Sequence, residues 1–258
     1  MRSSLARQLS AIAAGLVLPI ALLLLWQIAA ERDWIDTLFY PAPTSVLDRT
    51  WTQLRDGRLL DDAWATSRRL LVGFVAGATP GMAFGLASGA SGLLRRLLYP
   101  LATALYVVPR IAMLPLVLVA FAITDTARIF MVGFSVFFVV YFAALSAAEQ
   151  VPAQHLDTAR AFGAGRLRLV TSVLLPASAP AVFSGLRIAM GFALIVIVGT
   201  EFLAANDGLG ARIWQSYQIF DFPSMYAGIV AVTLLGVVLN LALLVVERLA
   251  LPWARRSG

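Results

Sequence analysis

Six long apolar runs organise the chain, over residues 9–30, 70–94, 97–122, 129–148, 181–204 and 222–246. A helix needs about 20 residues to cross the hydrocarbon of a bilayer, and each run reaches that length. The pattern predicts an all-α, polytopic membrane protein with six transmembrane helices in a single domain over 1–258. For the first run a cleaved secretory signal is the rival, because Arg2 and Arg7 precede it and Ile28-Ala29-Ala30 loosely resembles a cleavage site. Its 22 uncharged residues exceed the roughly 7–15 of a signal core.

The second run carries Gly73, Gly77, Gly81, Gly85 and Gly89 at a strict spacing of four. They fall on nearly one helix face, the kind of small-residue stripe that lets a second helix backbone approach closely in lipid. Pro80 within it predicts a kink. The third run contains Pro100, Pro109, Pro115 and a single charge, Arg110. Read as one helix, it places Arg110 roughly 20 Å along an axis that rises ~1.5 Å per residue. Charges at such depth are expensive and face a cavity or a partner. Arg110 would either attract an anionic substrate or pair with an acid at the outer ends of neighbouring helices. The fourth run is rich in Phe, a packing or lipid-facing pattern. In the fifth, Arg187 and Glu201 are separated by about 21 Å of helix rise, too far apart to pair with each other, and Gly185, Ala189 and Ala193 give it a small-residue face.

Two polar segments interrupt the runs. Residues 31–69 look extramembrane: Tyr40-Pro41-Ala42-Pro43 is extended by its prolines, and Thr44 or Ser45 can cap a helix with Val46, Leu47, Thr50, Trp51 and Leu54 on one face. That helix is expected to lie on the membrane surface or on the outer face of the protein. Residues 149–180 form the second, with Asp157, Arg160, Arg166 and Arg168 around Gly163 and Gly165. Ala159, Phe162, Leu167, Val170 and Val173 recur at three-to-five-residue intervals, which predicts two short amphipathic helices with a glycine joint.

Composition agrees with a membrane protein: 60% of residues are hydrophobic and 13% charged, against roughly 45–50% and 25% in soluble domains. All twenty basic residues are arginine, and a P-loop needs its lysine, so this chain does not hold ATP in that manner. Without cysteine and with one histidine, His155, no thiolate or multi-histidine metal site is expected, and no cofactor. With six spans both termini share one side, where eleven Arg accompany three acids; the other side has nine Arg and eleven acids. Six of those nine sit in the long 31–69 segment. With that segment set aside, the positive-inside rule puts both termini and the 149–180 loop in the cytoplasm, and 31–69 in the periplasm.

The run Asp157, Thr158, Ala159, then Gly163, then Leu175 and Pro176 resembles the cytoplasmic "EAA" loop of permease subunits of ATP-binding-cassette importers. Asp157 stands where that family usually has Glu, and Thr158 where it usually has Ala. The resemblance extends from Pro41-Ala-Pro-Thr-Ser to the C-terminus, closest to the branch moving sulfonates, taurine, nitrate, bicarbonate or pyrimidine-type vitamin precursors. It implies the type I importer permease architecture, an inner-membrane location and no chemistry of its own. Two copies would form the pathway, two cytoplasmic ATPase subunits would bind below, and a periplasmic or lipid-anchored binding protein would deliver substrate; membrane lipid is a partner and nucleic acid is not. Asp157, Thr158, Ala159, Arg160 and Gly163 would dock the ATPase, Leu175 and Pro176 would join the loop to the fifth span, and Arg110 and Glu201 are the candidate pathway charges. The alternative is an ion-gradient-driven secondary transporter or channel, although such folds often show repeated halves and no repeat is visible. A third class, an intramembrane enzyme, lacks any nucleophile–base pair, paired carboxylates or ligand set.

Overall fold

The computed structural model describes residues 2–253, with the side chains of residues 2–14, Leu16, Arg166 and Leu167 outside that description. The side chains of Arg2, Arg7 and Arg166, and Arg255 and Arg256, all used above for the loop or the topology, therefore lie outside the described residues. Among the described residues every regular element is helical: α1 (Arg2–Glu31), α2 (Pro43–Arg55), α3 (Arg58–Ala90), α4 (Gly92–Tyr106), a 3-10 turn (Ile111–Met113), α5 (Leu114–Phe121), α6 (Asp125–Glu149), α7 (Ala153–Ala161), α8 (Arg166–Leu169), a π turn (Val170–Leu174), α9 (Leu175–Ala204), α10 (Leu209–Gln218) and α11 (Phe222–Ala250). Four of these stretches, α3, α6, the π turn with α9, and α11, are long and apolar enough to cross a membrane. The α4–α5 pair would make a fifth, and the described apolar part of α1 is Val17–Glu31. Among the described residues, length and composition thus give four or five crossings, and the first of the six expected spans falls on α1, of which only Val17–Glu31 enters that count.

The third run departs most from expectation. It is not one helix: α4 and the segment Ile111–Phe121 meet at 81°. Pro109 lacks the N–H that would continue α4, and it pushes Val108 out of helical conformation. Pro115, by contrast, sits in the first turn of α5, where a missing N–H costs nothing. Arg110 thus occupies a corner, and a depth computed along a straight helix does not apply to it.

The chain divides into two compact units, residues 1–60 with 212–231, and residues 61–211 with 232–258. In the larger unit α6 is the central element. The glycine stripe of α3 lies against its backbone: a Cβ on Gly73 would come within 2.7 Å of Val132 Cβ, and one on Gly81 within 2.6 Å of the Phe137 carbonyl. Gly77, Gly85 and Gly89 abut Gly133, Tyr141 and Ala148 in the same way. α9 packs on α6 through Gly185, which meets Ala143, and through the fully buried Ala189 and Ala193. Val132, Val136, Val140 and Ile197 complete that core. Aromatics of α6 meet one another and α4 edge to face, with Phe137–Phe138 at 4.9 Å and Tyr106–Phe142 at 5.4 Å between centroids.

In the smaller unit α2 begins at Pro43. The single apolar face expected of it is split: Val46 is buried and Thr50 partly so, whereas Leu47, Trp51 and Leu54 are exposed.

Candidate functional site

The 149–180 segment begins where α6 ends, with Glu149 paired to Arg95 of α4 at 2.5 Å. Pro152 turns the chain into α7, none of whose residues is buried. Asp157 and Arg160 pair along it at 2.8 Å with both side chains more than half exposed, and the Thr158 hydroxyl donates to the Gln154 carbonyl at 2.8 Å. The end of α7 is fixed by Gly163 at φ +78°. The Gly163 N–H donates to the Arg160 carbonyl at 2.9 Å and the Ala164 N–H to the Ala159 carbonyl at 3.0 Å, the paired bonds of a Schellman motif. No atom lies within 4 Å of where a Gly163 Cβ would be, so backbone conformation alone requires glycine there. Phe162, just before it, is 88% exposed. It borders a recess of about 210 Å³ shared with Ala159, Ala164, Arg168, Ser172 and Val173.

The second half of the segment runs into the following span without a break, so α8, the π turn and α9 form one continuous helix. Pro176 explains the wide turn. It cannot donate to the Ser172 carbonyl and its ring would press on it, whereas in the π turn the Leu175 N–H reaches back to Val170. Leu175 is exposed, Leu174 is buried, and the Ser178 hydroxyl donates to the Leu174 carbonyl at 2.7 Å. The residues of the predicted loop site are thereby spread over two elements: Asp157, Thr158, Ala159 and Arg160 on α7, Gly163 at the joint, Leu175 and Pro176 at the start of α9.

At the other end of α6, about 37 Å away for 25 residues, lies a charged cluster. Arg69, 2% exposed, donates to Asp125 Oδ1 at 2.7 Å, Glu201 Oε1 at 3.0 Å, Asp207 Oδ1 at 2.7 Å and the Asp207 carbonyl at 3.0 Å. Glu201 is fully buried and also accepts from Thr66 at 2.9 Å and from the Gly210 N–H at 2.9 Å. Arg128 donates to Asp125 at 2.8 Å and to the Ala204 carbonyl, and Arg68 pairs with Asp125. Gly208, at φ +107°, lets the 205–210 turn wrap the Glu201 carboxylate; a Cβ there would lie 2.5 Å from Oε1. Three arginines face three acids, each charge compensated, so the cluster clamps the start of α3, the start of α6 and the end of α9 together.

Arg110, the other candidate pathway charge, lies far from this arrangement in character. Its guanidinium stacks 4.9 Å from the Tyr106 ring, its Nη2 makes a long 3.4 Å bond to the Tyr106 carbonyl, and its buried Nε has no hydrogen-bond partner. Among the described residues no acid pairs with it, and the structure does not bring it to Glu201. A mostly apolar recess of about 480 Å³, lined by Pro80, Phe121, Phe130, Phe134 and Phe137 with Thr126, has no charged residue in its lining. The sequence missed Phe162, Arg69, Thr66 and Asp207. Phe162 fitted the apolar periodicity of a packed helix, and Arg69 sits 132 residues from its partner Glu201, with only the Gly208-Leu209-Gly210 turn as a hint.

Residues 81–256 match the family model described as binding-protein-dependent transport system inner membrane component. The aliphatic sulfonates transport permease protein SsuC of Escherichia coli is 30% identical, over 92% of this chain and 90% of its own. The taurine transport system permease protein TauC of Escherichia coli is 29% identical, over 90% and 86%, and the nitrate import permease protein NrtB of Synechocystis is 27% identical, over 90% and 86%. Among solved structures, a chain of the inward-facing MetNI methionine ABC transporter superposes with a TM-score of 0.65 at 19% identity, covering 74% of this chain and 94% of that one, a likeness of fold. The chain belongs to the family of binding-protein-dependent transport system inner membrane components and is a multi-pass, all-α permease subunit of the ABC-importer class.

Proposed function

We propose that the chain carries a small anion of the sulfonate, taurine, nitrate or bicarbonate type inward, driven by a separate ATPase that grips the 149–180 loop. The observation that carries this proposal is α7: a helix with no fully buried residue, locked at its end by Gly163 and set beside the π turn Val170–Leu174 that leads into α9. A surface of that kind transmits force to a span without being part of the core. In this proposal the loop and both termini are cytoplasmic, two copies of the chain enclose the pathway, two ATPase subunits bind below, and a binding protein delivers substrate from outside. Asp157, Thr158, Ala159, Arg160 and Gly163 make the docking surface, and Leu175 and Pro176 pass its displacement to α9. The anionic substrate class rests on the relatives' names and on Arg110.

The test is co-purification in mild detergent with the host's cytosolic ATPases, using wild type, Gly163→Asn and Gly163→Val. Asparagine tolerates the left-handed region that a β-branched residue does not. Wild type and Gly163→Asn are expected to recover a stoichiometric ATPase, with Gly163→Val inserted normally but recovering several-fold less. No ATPase with any of them, with or without trapped ATP, would overturn the assignment and favour a secondary transporter.

A further inference from the structure

α2 is tied to the ends of two helices, α1 and α11, that leave most of their apolar side chains exposed. Gln27, near the end of α1, donates to Thr44 Oγ1 at 3.1 Å and accepts from the Thr44 N–H at 3.2 Å. Further along, Arg49 pairs with Asp221 at 2.7 Å and donates to Ser224 Oγ at 2.8 Å, and Gln53 donates to the same hydroxyl at 2.7 Å. Asp221 and Ser224 flank the first turn of α11. Trp26 of α1 and Tyr226 of α11 touch, with ring centroids 5.6 Å apart. The apolar side chains of α1 from Val17 to Leu25 are exposed around its circumference, and α11 buries little of its apolar length. Such helices belong in hydrocarbon, so the last turn of α1 and the first of α11 mark one bilayer boundary. α2 lies across that boundary.

At about 100° per residue, α2 shows three faces. Val46, Thr50 and Gln53 form the packed one. Leu47, Trp51 and Leu54, 63%, 53% and 37% exposed, form a second, turned about 100° from it. Asp48, Thr52 and Arg55 form the third, on the remaining side. We propose that the second face is bedded in lipid, which makes α2 an interfacial helix seated at the junction of headgroups and acyl chains. A helix standing in solvent would not need that face, and one crossing the membrane would have no third face. Trp is the residue enriched at this depth. The Arg55 guanidinium, 4.8 Å over the Trp51 ring, keeps its charge at the phosphate level while its stem covers the ring. The tether also stays ionised: burial pushes Asp221 up, but hydrogen bonds from Ser224 and the Arg49 guanidinium outweigh it and hold the carboxyl below its ordinary value. Its contribution is therefore complete at neutral pH and fades only as pH falls through the acidic range.

Because the chain has no cysteine, single variants Leu47→Cys, Leu54→Cys, Asp48→Cys and Thr52→Cys can each carry one spin label in the full-length protein. These positions are exposed, so the labels leave the packed face intact. In nanodiscs of phosphatidylethanolamine and phosphatidylglycerol, collision with oxygen relative to a water-soluble nickel chelate is expected to be several-fold higher at 47 and 54 than at 48 and 52. Equal nickel accessibility on both faces would place the helix in water and overturn the proposal. Protection of 47 and 54 from both relaxers would overturn it too, by showing a protein on that face, whether a second copy or a binding protein. None of these outcomes bears on ATPase recovery.

Discussion

Arg69 shows how one residue can hold three helices. Its fork reaches Asp125, Glu201 and Asp207 at once, and no lysine could reproduce that planar set. Of the partners, Glu201 alone is fully buried; Asp125 keeps Arg68 and Arg128, and Asp207 is more than half exposed. Arg69→Leu therefore strands one charge, at about 3–5 kcal/mol. The double variant Arg69→Leu/Glu201→Leu is expected to be more stable than Arg69→Leu alone, since it removes the stranded charge along with its cause. Thermal midpoints in detergent measure this, and a double variant no better than the single would show that packing, rather than charge, sets the cost. Sequence could not have paired Arg69 with Glu201. Two charges at the edges of separate apolar runs carry no mark of which faces which until the helices are packed. Gly163 was legible because its constraint is local: a joint between two short periodic stretches calls for a residue that accepts positive φ, whatever the tertiary context.

At the scale of elements, the glycine stripe of α3 and the corner after α4 follow from opposite kinds of information. Five glycines four apart define a face from the sequence alone, and the structure sets that face against α6 with backbone nearly touching backbone. Gly77→Ala is expected to push the helices apart and lose the monodisperse peak in size-exclusion chromatography. Gly191→Ala, with nothing within 4 Å of the new methyl, should elute unchanged and gain a little from helix propensity. Equal behaviour of the two would mean that α3 and α6 do not meet through this stripe. The corner was harder to foresee because three prolines in one run look alike. Pro100 is carried inside α4 and Pro115 in the first turn of α5, and only Pro109 breaks the helix. The π turn before Pro176 was likewise invisible to periodicity, since one extra residue per turn shifts phase by less than a short window can resolve.

Over the whole molecule, apolar run lengths and the excess of arginine were enough to read an all-α membrane protein, because the bilayer imposes length and charge rules that need no tertiary detail. The route taken by substrate is not such a rule. Of the two candidate pathway charges, Arg110 at its corner has no acid partner among the described residues, whereas Glu201 is bonded to Arg69, Thr66 and Gly210. Arg110→Gln is expected to raise the anion concentration for half-maximal uptake in proteoliposomes at least several-fold while leaving assembly intact; an unchanged concentration dependence would make its stacking on Tyr106 purely structural. The unbroken helix from Val170 to Ala204, 35 residues or about 50 Å, adds a mechanical consequence. One end adjoins the Gly163 joint and the other is pinned through Glu201, so the helix is a lever with its fulcrum at the charged clamp. If an ATPase grips the loop as proposed, a sideways load near Phe162 would sweep the loop end widely and leave the pinned end almost at rest, like a door hinged at its far edge.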